Sequence, residues 1–179
     1  VPVQCDRLAY HYLRGGVRER ACLWSLRAGE SALGLYAGES ALVHFRSALE
    51  IAVCGSEELS ALSGLGDAFV SLGRHAEAVR SFTAALQRAD SVAVKADLHR
   101  RSGRAHERQG AYDKALEAFG EARQLLLGQP LSLTSIRIAD SLATVYVRLG
   151  RHAEAADLCR DALRWLAEHG DVDARHEAE

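Results

Sequence analysis

The chain has 179 residues, of which 48% are hydrophobic, so it is long and apolar enough to bury a continuous core. Its formal net charge is -2, from 22 basic and 24 acidic residues, which excludes the overall positive field that draws a protein onto nucleic acid or an anionic membrane. No apolar run reaches the roughly 18 residues that cross a bilayer, and the cysteines form no metal-ligand or disulfide pattern. We therefore expect a soluble, cytoplasmic protein with reduced thiols and without a metal or other cofactor.

The N-terminal segment, 1–56, predicts three helices. Only two prolines, Pro2 and Pro130, stand in a chain dominated by Ala, Leu, Arg and Glu, which favours long helices and an all-α fold. The small residues Ala21 and Ala41 occupy the same place in two successive units but lie too close together in the sequence for two separate helical hairpins. One long helix over 17–36 is therefore predicted to serve both units, after a helix over 7–14 and before one over 39–53.

An identical stretch, Leu-Gly-Arg-His-Ala-Glu-Ala, occurs at 72–78 and again at 149–155. Between them, 109–115 keeps the glycine, a ring two positions later and the alanine three positions after that. The same glycine position thus recurs at Gly73, Gly110 and Gly150, at a nearly constant spacing. Such a period indicates stacked helical hairpins, because each hairpin can bury its apolar face only against its neighbours.

Each unit repeats the same small and large positions. Small residues on both helices of a hairpin allow the helices to approach closely; they are Gly66 with Ala78, Gly103 with Ala115, and Ala143 with Ala155. The three turn glycines are predicted to end the first helix in a left-handed conformation. Phe82 and Phe119 are expected to fill the space between helices, and Cys159, at their position in the last unit, to be a small buried hydrophobic residue.

This pattern resembles the tetratricopeptide repeat over residues 58–169. The resemblance implies an all-α solenoid of antiparallel helix pairs with about nine helices. It divides the chain into an N-terminal segment of degenerate repeats, 1–56, three repeats, 57–170, and a polar tail, 171–179.

The N-terminal segment also resembles the helical part of large bacterial signalling ATPases, such as LuxR-type regulators and ATPase-coupled nucleotide cyclases. Together with the complete lack of methionine, this predicts a fragment of a larger bacterial regulatory protein.

The resemblance implies that the first helix of each repeat lines a concave groove. Arg100, Arg104 and Arg108 recur at every fourth position and therefore share one helical face. Register adds Asp67 on the preceding repeat, and Arg137, Asp140, Thr144 and Arg148 on the next. Guanidinium groups there can clamp carboxylates, so the expected partner is an acidic protein or peptide. The alternative is that these arginines pair with Asp97, Glu107 and Asp140 and only solvate a helical face.

No catalytic motif accompanies the repeats. The glycine-rich stretch 64–67 lies inside an amphipathic helical pattern and does not follow a strand, so it does not predict a phosphate-binding loop. We therefore expect a non-enzymatic scaffold for protein–protein interaction. Two alternatives remain open. One is a structural spacer or lever that couples an upstream ATPase to an output domain. The other is self-association through the terminal helix, where Leu163, Trp165 and Leu166 lack a following repeat.

Overall fold

The computed structural model describes residues 2–130 and 132–176, and every regular element in these two ranges is an α-helix. Nine helices follow one another there: α1 Pro2–Arg14, α2 Arg18–Gly34, α3 Gly38–Ile51, α4 Gly55–Ser71, α5 His75–Leu86, α6 Val92–Arg108, α7 Tyr112–Leu125, α8 Leu133–Arg148 and α9 His152–His176. The helical-repeat fold expected from the sequence is therefore confirmed.

The N-terminal helices agree with the sequence to within a few residues, except at the beginning. Helix α2 is a single element, as the spacing of its small residues required. Helix α1 begins already at Pro2 instead of residue 7, which is possible because proline fits the first turn of a helix. At the other end, α9 continues to His176, past residue 170, where the sequence places the end of the last repeat.

Each helix packs against the next, and short connections make successive helices antiparallel. The first helices of the repeats also meet one another: α2 contacts α4, and α6 contacts α8. The backbones of α4 and α6 approach each other less closely. This difference leaves a cleft between α4 and α6 on the face of the stack that the first helices form.

In the repeats that precede the last one, a phenylalanine ring packed on bare backbone joins the two helices. The rings of Phe45, Phe82 and Phe119 are buried, one in each of three successive repeats. A β-carbon added at Gly66 would overlap the ring of Phe82, and one added at Gly103 would lie 2.5 Å from the ring of Phe119. The glycines are therefore required by packing, as the sequence pattern predicted.

The turns between paired helices share one geometry. The residue after the turn donates its amide proton to the carbonyl oxygen five positions earlier, at 2.8 Å for Arg74 to Phe69 and at 2.9 Å for Ala37 to Ala32. Gly73, Gly110 and Gly150 have φ values of 71°, 74° and 74°, which confirms the predicted left-handed glycines. Tyr36 occupies this position between α2 and α3 with a φ of 58°, and its side chain is 94% exposed.

The prediction for Cys159 is wrong. Phe82 and Phe119 are fully buried, whereas Cys159 at the corresponding place on α9 is exposed. The position on α8 that faces Cys159 is Ala143, which is itself buried. The cysteine side chain is shorter than a phenylalanine ring and does not reach as far into the space between the two helices. Among the described residues, α9 is also the last helix, so no following helix covers it.

We expect Gly103→Ala to lower the free energy of unfolding by about 1–2 kcal/mol. Forcing a methyl group against the ring of Phe119 costs about 1–3 kcal/mol, which exceeds the gain of up to about 1 kcal/mol from replacing a helical glycine. Denaturant titration measures the change. Gly120→Ala on α7 is the matched control, because no atom lies within 4 Å of its added β-carbon; it should leave the stability equal or higher. Equal effects of the two substitutions would contradict the packing argument.

We expect Tyr36→Gly to raise the free energy of unfolding by about 1 kcal/mol. The left-handed conformation costs a non-glycine residue about 1–2 kcal/mol, and an almost fully exposed ring loses no packing when it is removed. Gly73→Ala at the equivalent turn should lower the free energy of unfolding, because alanine is unfavourable in the left-handed conformation of Gly73. Thermal and denaturant unfolding of both variants test the pair; a loss of stability in Tyr36→Gly would mean that its ring has a stabilising contact.

Candidate functional site

Four charged side chains form a network across the cleft between α4 and α6. Arg101 of α6 donates from Nη1 to Oδ2 of Asp67 at 2.8 Å and to Oγ of Ser63 at 3.1 Å, both on α4. Its Nε donates to Oδ2 of Asp97 at 2.6 Å. Arg100 donates to the other oxygen of Asp97 from Nε at 3.0 Å and from Nη2 at 2.6 Å. Two guanidinium groups and two carboxylates therefore balance, and the network has no net charge.

The two carboxyl groups of the network have opposite pKa shifts. Burial raises the pKa of Asp67 and outweighs the opposing charge of Arg101. Burial acts in the same direction on Asp97, but the hydrogen bonds and charges of Arg100 and Arg101 together outweigh it, and the pKa of Asp97 is lowered. The ionised form of Asp97 is thus stabilised by two arginines, whereas the ionised form of Asp67 on the opposite helix is less stabilised.

A pocket opens on either side of the network, and both are bounded by Asp67 and Arg101. The first, which we call the apolar pocket after the larger part of its lining, has a volume of about 560 Å³. Its apolar lining includes Leu33, Phe45, Leu59, Val94 and Leu98, and its polar lining includes Glu30, Ser60, Ser63 and Asp97. The second, the basic pocket, has a volume of about 320 Å³ and is otherwise lined by Val70, Phe82, Arg100, Arg104 and Arg108. The cleft therefore presents two chemically different pockets in sequence along α6.

The predicted arginine row divides into a paired and an unpaired part. The side chain of Arg100 is only 11% exposed and is tied to Asp97. Arg104 and Arg108 are exposed at the basic pocket and form no ion pair within the part of the chain that the structure describes. Simple pairing with neighbouring carboxylates thus accounts for Arg100 but not for the other two.

The predicted groove residues of α8 lie outside both pockets of the cleft. Arg137, Asp140, Thr144 and Arg148 are all exposed. Arg148 donates from Nε to Oε1 of Glu107 at 3.1 Å and so joins α8 to α6, while the hydroxyl of Thr144 donates to the carbonyl oxygen of Asp140 at 3.0 Å. Their part in a binding groove stays a prediction.

Sequence reasoning missed Arg101, the residue at the centre of the network. A strict period of four positions selected Arg100, Arg104 and Arg108 and left Arg101 beside the row. One signal was present: Arg101 follows Asp97 by four positions, a spacing that favours an ion pair on one helix. The hydrogen bond from Arg101 to Asp67 on α4 had no counterpart in the sequence pattern.

The remaining ionisable groups do not suggest a reactive centre. Among the described residues, no group of three or more His, Cys, Asp or Glu side chains is arranged to hold a metal ion. Burial, followed by the nearby charge of Glu57, raises the pKa of Cys22 to about 11, which keeps this thiol protonated. No helix in the described ranges combines the length and apolar character needed to span a bilayer.

Self-association through the end of α9 is one of the alternatives that the sequence leaves open. Leu163 is 64% exposed there, and a third pocket of about 480 Å³ lies between α8, α9 and the connection before α8. The side chains of Trp165 and Leu166 lie outside the described residues. Self-association through this helix stays a prediction.

Family models of the tetratricopeptide repeat match residues 63–125 and 95–168, which together run from 63 to 168. The chain contains tetratricopeptide repeats. The family resemblance inferred from the repeated glycine and alanine positions is therefore confirmed for α4 to α9. The resemblance of the N-terminal segment to bacterial signalling ATPases stays a prediction, as does the division of the chain into three parts.

Solved structures with tetratricopeptide-like folds cover most of this chain. The crystal structure of MamA is 19% identical over 92% of this chain and 88% of its own, with a TM-score of 0.71. MamA 41-end from Desulfovibrio magneticus RS-1 is 17% identical over 91% and 93%, with a TM-score of 0.64. Aspartyl phosphate phosphatase F from Bacillus subtilis is 17% identical over 87% of this chain but 42% of its own, with a TM-score of 0.78.

Identities this low establish a shared fold and nothing more specific. The similarity does extend the repeat architecture to the N-terminal helices, since the matched share of this chain is 92% for MamA. No curated protein sequence matches this chain. Any preference of the cleft between α4 and α6 for a ligand therefore depends on its own side chains.

We expect a double-mutant cycle of Asp67→Ala and Arg101→Ala to give a coupling energy of about 0.5 kcal/mol. Both groups are partly exposed, so solvent screens their attraction and keeps it in the range of surface ion pairs. Denaturant titrations at low and at high salt measure the coupling, which should shrink at high salt. A coupling energy near zero at low salt would mean that the network does not tie α4 to α6.

Proposed function

We propose that the cleft between α4 and α6 binds an acidic segment of a partner protein, so that the chain acts as a scaffold for protein–protein interaction. The observation that carries this proposal is the position of Arg104 and Arg108. Both guanidinium groups are exposed at the basic pocket and lack an ion-pair partner among the described residues. The chain as a whole is slightly acidic, so attraction of an acidic ligand would be local to this pocket.

The neighbouring arginines define which groups are available to a ligand. Arg100 and Arg101 already satisfy Asp97 and Asp67, so a ligand would have to displace a carboxylate to use them. Arg104 and Arg108 need no such exchange. A guanidinium group presents several donors in a fixed plane and binds a carboxylate through two parallel hydrogen bonds, and a pair of such groups one helical turn apart suits adjacent acidic side chains.

The network also supports the proposal through rigidity. The ion pair between Arg101 and Asp67 bridges α4 and α6 where their backbones stand apart. Side chains that hold a binding cleft in one shape before the ligand arrives reduce the entropy lost on binding. The same neutral network would thus position the two free arginines without competing for an acidic ligand.

Binding of a labelled peptide with four consecutive glutamates, measured by fluorescence anisotropy at low salt, tests the proposal. We expect the double variant Arg104→Glu, Arg108→Glu to weaken binding at least tenfold, which corresponds to about 1.4 kcal/mol. The matched control is Arg46→Glu, Arg80→Glu, with the same change of charge on α3 and α5, where both arginines are exposed and line neither pocket of the cleft. This control should change the affinity less than twofold.

Equal losses in the two double variants would attribute binding to the overall charge and contradict a site at the cleft. A tetralysine peptide of the same length should not bind. Circular dichroism and unfolding of both variants ensure that a lost affinity does not result from a lost fold.

A rigid spacer is the second candidate function, because ion pairs link consecutive first helices. Arg101 joins α6 to α4, and Arg148 joins α8 to α6 through Glu107. A spacer would depend on these links but not on the exposed arginines. No binding of the acidic peptide, together with unchanged unfolding of the Arg104→Glu, Arg108→Glu variant, would favour the spacer.

A further inference from the structure

We infer that the cleft selects a peptide in two parts: an apolar side chain for the apolar pocket and acidic residues for the basic pocket, joined by an uncharged extended spacer about three or four residues long. This inference rests on the proposed function and makes its ligand specific. It follows from the composition of the two pockets, from the neutral network between them and from their separation along α6.

The floor of the apolar pocket is a buried aromatic ring packed on glycine backbone, and its walls and rim are apolar side chains open to the solvent in part. The ring of Phe45 packs on Gly29 and Gly64, and a β-carbon added at Gly64 would overlap this ring. Leu33 and Leu59 form half-buried walls, and Val94 at the rim is 38% exposed. A leucine or phenylalanine side chain of a ligand would cover this apolar surface and remove it from water.

The network between the pockets favours an uncharged stretch of ligand. Asp67, Asp97, Arg100 and Arg101 contribute two charges of each sign within hydrogen-bonding distance of one another. A charged ligand side chain above them would meet both signs and gain little, while it would lose hydration. Peptide groups of the ligand carry donors and acceptors but no net charge, so a plain backbone crosses the network at the lowest cost.

The length of the spacer follows from helix geometry. Val94 at the apolar pocket and Arg104 at the basic pocket are ten positions apart on α6, which corresponds to about 15 Å at about 1.5 Å per residue. An extended chain advances about 3.3–3.6 Å per residue. The distance thus corresponds to a little over four steps of an extended chain, so a ligand lying along α6 needs about three or four residues between its apolar and its acidic part.

Labelled peptides with one leucine, a Gly/Ser spacer and four glutamates test the inference on the complete chain. Spacers of one, four and eight residues are compared, each with a partner peptide in which serine replaces the leucine. We expect leucine to improve the affinity at least fivefold with the spacer of four and by a smaller factor with the spacer of eight. With the shortest spacer we expect no improvement, because a linker that cannot span two sites contributes nothing.

The variant Val94→Gln tests whether the gain in affinity from leucine arises at the apolar pocket. We expect it to reduce the gain from leucine, which is the ratio of the affinities for the leucine and the serine peptide, at least threefold, because it places a polar side chain at the pocket rim without changing the charge. Val43→Gln on α3 is the matched control, since Val43 is a 60% exposed valine that lines neither pocket of the cleft. It should leave the gain from leucine intact.

The outcomes separate this inference from the proposed function. If the serine peptides bind through Arg104 and Arg108 but leucine adds nothing at any spacer length, the inference is overturned and the acidic site stands. A leucine gain that is equal at all three lengths, or that persists in Val94→Gln, also overturns it. If the serine peptides do not bind, or bind equally to the Arg104→Glu, Arg108→Glu variant, the proposed function is wrong and the inference is wrong with it.

Discussion

The architecture depends on the contact between a phenylalanine ring and the bare backbone of the facing helix. Phe45, Phe82 and Phe119 each pack on glycine. A β-carbon added to the glycine that faces each ring would overlap that ring. Because the facing backbone carries no side chain, the ring packs directly on it and the paired helices approach closely. Such dense packing makes each of these repeats a rigid unit. The relative position of the first helices, and hence the cleft, follows from how these units stack.

Stacking is not uniform along the chain, and the cleft lies where it is loosest. Helices α2 and α4 meet, as do α6 and α8, whereas α4 and α6 are bridged by long polar side chains. The ion pair between Arg101 and Asp67 spans the gap that stacking leaves and lies between its two pockets. Because Arg100 and Arg101 are occupied by carboxylates, Arg104 and Arg108 are the arginines that stay free among the described residues.

The sequence predicted the fold well because helical repeats depend on local and repeated signals. The glycine at position 73 and its equivalents, the small residues at helix crossings and the long helix α2 could all be inferred from spacing alone. The site was predicted in part: Arg104 and Arg108 lie at a pocket, while Arg100 is neutralised by Asp97. Arg101 was missed because the length of an arginine side chain lets it reach a neighbouring helix from a position that register places off the groove face.

What distinguishes this repeat protein is found where its units differ. Asp67, Arg104 and Thr144 occupy equivalent positions in successive repeats and carry a negative, a positive and a neutral side chain. A scaffold of identical repeats would present the same chemistry at every step and could not fix the register of a ligand. The buried position just before it holds only small residues, Gly66, Gly103 and Ala143, so the core keeps one geometry. The exposed face, in contrast, carries a different charge in each of these repeats. That order, with an apolar pocket before a basic one, is what would give a bound peptide a direction.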